Sequence, residues 1–424
     1  MLTRAPKGTN DILPSKIDYW YYTESIIKEV LQNYGYREIR TPSFEHTELF
    51  VRGIGETTDI VNKEMFTFQD RKGRSLTLRP EGTAPVVRAY LEHNMGRENP
   101  LVKLFYLGNM FRCEKPQAGR FRQFNQFGLE AIGSQSPLID AEIIMASLRI
   151  YRNIGLSNLK LVINSVGCRE CRPRYLDALR EYFHDKKELL CSDCRERYDK
   201  NPLRILDCKN KECQIQIKNS PTIFDYLCKD CKEHFQKLKE YLDILEIKYQ
   251  VNPLLVRGLD YYTKTAFEII SGELGSQNAV GGGGRYDYLV KELGGKETPA
   301  VGFAAGMERI ISTMEKQKIS IPTWEGIRLF VATVSSEDIP SALKFLNYIR
   351  KNGISAEMDF LDKSLKAQMR LANKLNVSFV LIVGQEELKE NKLTVKNMTN
   401  GKQEKVEINN LLTYINTIYE DMEN

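Results

Sequence analysis

The chain has 424 residues, 42% of them hydrophobic and 28% charged, with 61 basic against 56 acidic residues and a formal net charge of +5. This is ordinary for a globular protein of two or three domains, and the charge balance tolerates a nucleic-acid partner without demanding one. No apolar run is long enough to span a bilayer and no charged-then-apolar leader opens the chain, so a cytoplasmic protein without membrane contact is expected.

From the N-terminus, Pro14-Ser15 opens an apolar-periodic helix that runs through Val30 and Leu31 and closes near Tyr34-Gly35. Gly35 to Pro42 reads as a strand ending at a proline, and Glu81 to about Met95 as a second helix. Ser136-Pro137 caps a third helix, which stops at Gly155. Lys103–Phe111 and Gln123–Ile132 alternate as two strands across the polar loop 113–122; the hairpin predicts an antiparallel sheet. Residues 168–245 then interrupt the pattern with eight of the nine cysteines, many charges and two expected helices. Strand signals return at Leu254–Val256, Thr265–Ile270 and Asn278–Val280, before the run Gly281–Gly284, and a helix is expected near Phe303. After a linker at Trp324–Ile327 the rhythm becomes β-α-β-α-β, with strands at Leu329–Val334, Ser355–Met358 and Val377–Val383 and helices at 338–351 and 363–375. The expected fold class is α+β. A mainly antiparallel sheet flanked by helices occupies 1–167 and 246–324, a helical cysteine-rich insertion 168–245, and an α/β domain 327–424.

Three separated segments carry the chemistry. Arg112 ends a strand, a rigid setting for a guanidinium that clamps a phosphate, and the loop after it holds Lys115, Arg120 and Arg122 around Gly119. Gln126 and Glu130 lie four residues apart on the next strand, so period two puts both on the face of Phe124. Arg257-Gly-Leu-Asp-Tyr261-Tyr262 adds a second arginine beside a tyrosine pair. The stretch Gly302 to Arg309 adds a third arginine after small residues that would let a helix pack closely on the sheet. Three arginines aimed into one pocket suit a polyanionic substrate whose phosphates are gripped while charge develops. Gly281–Gly284 lacks the ending of a Walker loop and the spacing of a dinucleotide fingerprint; close backbone approach, or a ligand against the strand, explains it better.

The cysteines pair as Cys168-x-x-Cys171, Cys191-x-x-Cys194, Cys208 with Cys213 five residues on, and Cys228-x-x-Cys231. In a cytoplasmic chain this spacing points away from disulfides and toward one or two tetrahedral zinc sites of four cysteines each, with reduced cysteines in small helical turns as the alternative.

Together these segments resemble the motifs of the class II aminoacyl-tRNA synthetases, and their combination resembles the histidyl-tRNA synthetase family. Gly35–Pro42 is similar to motif 1, Phe111-Arg112-Cys113-Glu114 with its loop to motif 2, and Gly302–Arg309 to motif 3. Leu255–Tyr262 and Ala279–Asp287 resemble the two histidine-specific signatures, and Pro6–Asp11 and the C-terminal domain also fit. The resemblance weakens only in the cysteine-rich insertion. It implies activation of histidine by ATP with Mg2+, transfer of the histidyl group to the 3′ end of a histidine-accepting tRNA, and a homodimer built through motif 1.

By the same resemblance Arg112 would hold the α-phosphate, Arg309 would pin ATP against the sheet, and Arg257 would face Arg112 across the α-phosphate. Glu114 and Arg120 would serve the nucleotide. Glu81, Thr83 and Gln126 would bind the amino group of histidine, and Glu130, Tyr261 and Tyr262 would enclose its side chain. A carboxylate taking the imidazole N–H, with a phenol donating to the bare nitrogen, rejects apolar side chains by a factor of about 10⁴ or more. The insertion would lie over the tRNA acceptor arm, with any zinc structural. The last domain would read the anticodon, and Lys366, Arg370 and Lys374 recur along one of its helices within reach of phosphates. Two other functions remain open: a silent paralogue serving as regulatory subunit of histidine biosynthesis, and a non-catalytic RNA-binding protein. Both predict broken motif arginines or a missing last domain, and here all are present.

Overall fold

The computed structural model describes residues 3–55, 58, 60–114, 120–272, 279–323 and 326–423, with side chains described as far as 417. Lys115 and Gly119 of the basic loop, Asn278, and Trp324-Glu325 of the expected linker lie outside the described residues. The chain forms two compact units, Met1–Pro322 and Thr323–Asn424.

The first unit runs α1 (Pro14–Asn33), β1 (Arg37–Glu38), β2 (Phe44–His46), α2 (Thr47–Ile54), β3 (Thr67–Gln69), β4 (Ser75–Leu78), α3 (Thr83–Glu92), β5 (Val102–Phe111), β6 (Gln123–Ile132), α4 (Pro137–Ile154) and β7 (Leu159–Ser165). Four helices follow, α5 (Cys171–His184), α6 (Ser192–Lys200), α7 (Lys211–Ile217) and α8 (Lys229–Ile244). The unit ends with β8 (Tyr249–Val251), β9 (Thr263–Ser271), β10 (Ala279–Arg285), α9 (Leu289–Glu292), β11 (Ala300–Gly306) and α10 (Met307–Gln317). Eight strands make one sheet in the order β1-β5-β6-β11-β10-β9-β7-β8, antiparallel except for the edge pairs β1–β5 and β7–β8. On β6 the period of two sends Phe127, Leu129 and Ala131 into the main core under α1 and α4, and turns Gln126 and Glu130 to the opposite face. The helix signals hold at α4: the Ser136 hydroxyl accepts the Leu138 N–H, and Gly155 ends the helix in the left-handed conformation.

The second unit carries β12 (Leu329–Thr333), α11 (Ile339–Lys351), β13 (Ala356–Met358), α12 (Leu365–Lys374), β14 (Phe379–Val383), α13 (Gln385–Lys389), β15 (Lys392–Asn397), β16 (Gln403–Glu407) and α14 (Leu411–Glu423). Its sheet order β13-β12-β14-β15-β16 is parallel as far as β14. An antiparallel hairpin that the β-α-β reading did not foresee then extends it.

Several expectations need correction. The strand expected over Gly35–Pro42 shrinks to Arg37–Glu38, because the Arg79 guanidinium takes the Thr41 and Pro42 carbonyls at 2.8 and 3.3 Å. No strand forms at Leu254–Val256: Pro253 cannot join a ladder, Leu255 N–H closes a turn onto Asn252, and the strand is β8 instead. Gly281–Gly284 does not follow a strand but is one, the middle of β10. The helix expected near Phe303 starts only at Met307; Gly302, Ala304, Ala305 and Gly306 belong to the central strand β11. Apolar runs of small residues read equally as buried strand or packed helix. The insertion holds four helices rather than two, and α3 begins two residues after Glu81.

One buried polar cluster ties the first unit together. Arg285, at the end of β10, donates to Asp140 of α4 at 2.5 Å and to Asp287 at 3.0 Å, and both Arg285 and Asp140 are fully buried. Asp140 also faces Thr265 of β9 at 2.6 Å and His234 of α8 at 2.8 Å. Burial by itself would raise the Asp140 carboxyl, but Arg285 and His234 outweigh it and hold the group below its ordinary value. Removing one partner leaves an uncompensated buried charge, whereas the intact set is fully hydrogen-bonded. Asp140→Ala is therefore expected to cost about 3–5 kcal/mol in urea denaturation; a loss below about 1 kcal/mol would mean the cluster is not a structural anchor.

Candidate active site

The exposed ends of β5, β6, β10 and β11 and the start of α10 enclose a cleft of about 220 Å³. Arg112, Glu114, Arg120, Gln126, Arg257 and Arg309 all line it, so the three arginines from distant segments do converge. Arg112 follows the last residue of β5; its Nε donates to the Pro80 carbonyl at 2.9 Å and its guanidinium lies 5.3 Å over the Phe124 ring. Glu114 pairs with Arg120 at 3.0 Å and lies 3.8 Å from Arg112. Arg309, in the first turn of α10, donates to the Ala279 carbonyl at 2.8 Å, and its neighbour Glu308 accepts the Asn125 amide N–H at 2.7 Å.

Arg257 explains one glycine of the run. Its guanidinium lies against β10, where a Cβ on Gly282 would stand 2.5 Å from Nη1. Glu268 of β9, directly across from Gly282, takes the same nitrogen in an ion pair. Only glycine at 282 lets a guanidinium rest on the strand. Sequence reasoning passed over Glu268, whose signal is a lone carboxylate in the apolar strand 263–271.

Behind the cleft lies a sealed group of polar side chains. Glu130 is 1% exposed. It accepts Thr83 Oγ1 at 2.7 Å on one oxygen and the Tyr286 hydroxyl at 2.5 Å on the other. Gly302 sits opposite Glu130 in the β6–β11 register, where a Cβ would come within 1.8 Å of the carboxylate. Glu81 receives the amide N–H groups of Thr83 and Ala84 at 2.7 and 2.8 Å, capping α3. Gln126 meets the Tyr106 hydroxyl at 3.3 Å, and Tyr261 packs between Tyr262 and Tyr286 with ring centroids 4.7 and 5.6 Å away. Tyr286 is a second residue the sequence reading missed. Of the phenols that could pair with Glu130, it makes the hydrogen bond, while the Tyr262 ring lies 5.7 Å from the Arg257 guanidinium. Its place directly after Arg285 was the available signal.

Burial pushes the Glu130 carboxyl up from the ordinary 4.5 to about 8, against the lowering effect of the Tyr286 and Thr83 hydrogen bonds and with a smaller raising contribution from Glu81. Glu81 is raised in the same direction, again by burial. Displaced carboxyl groups beside a cationic cleft are a physical reason to take this as a candidate functional site.

The cysteines gather in two groups within the insertion. Cys168, Cys171, Cys228 and Cys231 form one and Cys191, Cys194, Cys208 and Cys213 the other, with each group's sulfurs all within 4.8 Å of one another. In the second unit Lys366, Arg370 and Lys374 lie along α12. No helix of the described residues is long and apolar enough to cross a membrane.

A mainly antiparallel sheet carrying motif arginines at its open end, with a separate α/β unit after it, defines an ATP-dependent aminoacyl-tRNA ligase of the class II type. Residues 8–310 match the family model for histidyl-tRNA synthetase, and residues 328–418 match that for the anticodon binding domain. A histidine–tRNA ligase from Halothermothrix orenii is 52% identical over 97% of this chain and 98% of its own length. One from Desulforamulus reducens is 52% identical over 98% and 99%. The apo histidyl-tRNA synthetase structure from S. aureus superposes with a TM-score of 0.81 at 41% identity, covering 97% of this chain and 99% of that one. The chain belongs to the histidyl-tRNA synthetase family. Its relatives support ligation of histidine to tRNA over the regulatory-subunit alternative, and the anticodon-binding domain makes tRNA its macromolecular partner.

The sign of the Glu130 displacement can be tested. A folded-state value above the unfolded one means stability that is complete below about pH 4.5 and lost as pH rises through about 8. Glu130→Gln carries no such proton. Its stability relative to the parent should rise steadily between about pH 5 and 8, by up to roughly 3 kcal/mol. Urea denaturation across that range measures the difference; a flat or falling gap would contradict a buried, proton-retaining Glu130.

Proposed function

We propose that this chain activates L-histidine with ATP in the cleft between Arg112, Arg257 and Arg309 and then passes the histidyl group to the terminal ribose of its tRNA. The observation that carries the reading is the convergence of these three arginines on one small cleft directly in front of the buried Glu130 cluster. In the first step a carboxylate oxygen of histidine attacks the α-phosphorus of ATP. A new P–O bond forms as the bond to the β-phosphate bridging oxygen breaks, and pyrophosphate leaves with that electron pair. No proton has to be abstracted, so the site needs no strong base. It needs cations held still where charge develops.

Arg112 is fixed through Pro80 and Arg257 through Glu268, so each guanidinium is oriented before substrate arrives. Together they would grip the α-phosphate from two sides, with Arg309 holding the nucleotide against the sheet and Glu114 and Arg120 at its base and phosphates. Mg2+ would come with ATP and neutralise phosphate charge. The carboxylates lining the cleft, Glu114 and Glu308, are already engaged with Arg120 and the Asn125 amide, so phosphate oxygens and water would supply most of its ligands.

Histidine would enter between the cleft and the Glu81–Thr83–Gln126 group, which supplies acceptors for its ammonium. Its imidazole N–H would replace either Thr83 or Tyr286 on Glu130, leaving Tyr261, Tyr262 and the freed phenol around the ring. An apolar side chain displacing the same donor would leave one Glu130 oxygen unpaired, which supports selection for histidine.

The edge segment at 35–42 would build a homodimer. The second unit would read the anticodon, with Lys366, Arg370 and Lys374 near phosphates. The insertion would hold structural Zn2+ through its cysteines beside the acceptor arm, and the protein would work in the cytoplasm. The domain boundaries expected above, with the insertion at 168–245, belong to the same reading.

ATP–pyrophosphate exchange should depend on histidine and be silent with proline or threonine. Arg257→Gln and Arg309→Gln should each lower kcat/KM for exchange by about 100-fold or more. Exchange without histidine, or unaltered exchange in both variants, would refute the assignment.

A further inference from the structure

The insertion cysteines are not merely close. In the outer group, Cys168 Sγ lies 3.6 Å from Cys171 Sγ and 3.8 Å from Cys228 Sγ; in the inner group Cys191 and Cys208 are 3.8 Å apart. A disulfide needs about 2.05 Å. Four thiolates around one tetrahedral zinc at about 2.3 Å stand about 3.8 Å apart along every edge. All sulfurs of each group fall within 4.8 Å, too close to enclose a cluster of several irons.

The backbone around several of these sulfurs is arranged to stabilise thiolate. Backbone N–H groups point at sulfur from Cys228 to Cys171 at 3.1 Å, from Cys191 to Cys213 at 3.2 Å and from Asn210 to Cys208 at 3.4 Å. Cys191 and Cys228 stand at the N-caps of α6 and α8, with Cys194 and Cys231 one turn in, where the helix dipole favours negative sulfur. The pairing is nested: the first and last Cys-x-x-Cys elements share one site and the middle two pairs share the other.

Both sites flank residues that reach the catalytic loop. Arg172, next to Cys171, donates to the carbonyls of Asp260, at 3.3 Å, and Tyr262. Between Cys194 and Cys208, Asn201 donates to Asp260 Oδ1 at 3.0 Å and Arg204 to the Arg257 carbonyl at 3.4 Å. The loop bearing Arg257 and Tyr262 is thus clasped from the insertion by Arg172, Asn201 and Arg204.

We propose that the insertion binds two Zn2+ ions, an outer one on Cys168, Cys171, Cys228 and Cys231 and an inner one on Cys191, Cys194, Cys208 and Cys213. Together they act as positioning staples that hold Arg172, Asn201 and Arg204 on the Arg257–Tyr262 loop. The activity half rests on the ligase reading above; the ion count does not. The insertion's small apolar core, including Tyr175, Leu179, Phe183 and Ile205, is threaded through by these cysteines, so the ions would add cohesion to it.

The test is metal content of the full-length purified protein by mass spectrometry, beside histidine-dependent pyrophosphate exchange. Two Zn2+ per chain are expected, falling to one in the Cys228→Ser/Cys231→Ser variant and to one in Cys208→Ser/Cys213→Ser. Arg172→Met should keep both ions yet lower kcat by about tenfold with the KM for ATP little changed, and Arg172→Lys should recover part of the loss. Less than one ion per chain in the parent protein, or iron in place of zinc, overturns the metal sites even if the cysteine variants do not fold. Two ions with full activity in Arg172→Met overturns the clasp. Two ions with no exchange in the parent protein would instead count against the ligase reading.

Discussion

Everything at the active end of the first unit depends on the buried ion pair between Arg285 and Asp140. It fixes the end of β10 against α4, while Thr265 brings in β9 and His234 brings in α8, the last helix of the insertion. The residue after Arg285 is Tyr286, whose hydroxyl satisfies Glu130. An interaction with no exposure to solvent therefore sets the position of the side chain that satisfies Glu130. Such a cluster is costly to desolvate and contributes little net stability over a well-packed apolar one. Its value lies in holding four elements in one arrangement.

The second constraint is the absence of side chains where two ionisable groups lie on the sheet. Gly282 leaves room for the Arg257 guanidinium and Gly302 for the Glu130 carboxylate. In both cases the strand opposite supplies the register: Glu268 faces Gly282, and Glu130 itself faces Gly302. The floor of the site at these positions is bare backbone. Its walls are cations already bound to carbonyls and carboxylates, so little reorganisation would be needed for an anion placed between them.

The insertion adds a different kind of support. Its helices have their own small core, and its side chains at 172, 201 and 204 meet the loop 257–262 from outside the sheet. A loop that carries the Arg257 guanidinium gains rigidity from such clasps.

Local signals settled much of this protein before any tertiary structure. Proline and serine starts and glycine stops placed α1 and α4, and alternation placed β5 and β6, because these features are encoded within a few residues. The runs Gly281–Gly284 and Gly302–Gly306 stayed ambiguous: they carry no periodicity that separates strand from helix, and only pairing with β9 and β6 makes them central strands. The sequence alone could name eight cysteines but not which shared a site, since the nested pairing depends on how α5 to α8 fold back on one another. Likewise the shared strand face of Glu130 and Gln126 was legible, while the Glu130 partners Tyr286 and Thr83, 156 and 47 residues away, were chosen by the sheet order and the anchor at Arg285. Sequence determined the chemistry available, through residue type and short-range pattern. Which groups meet was decided by long-range packing, which no short window of residues contains.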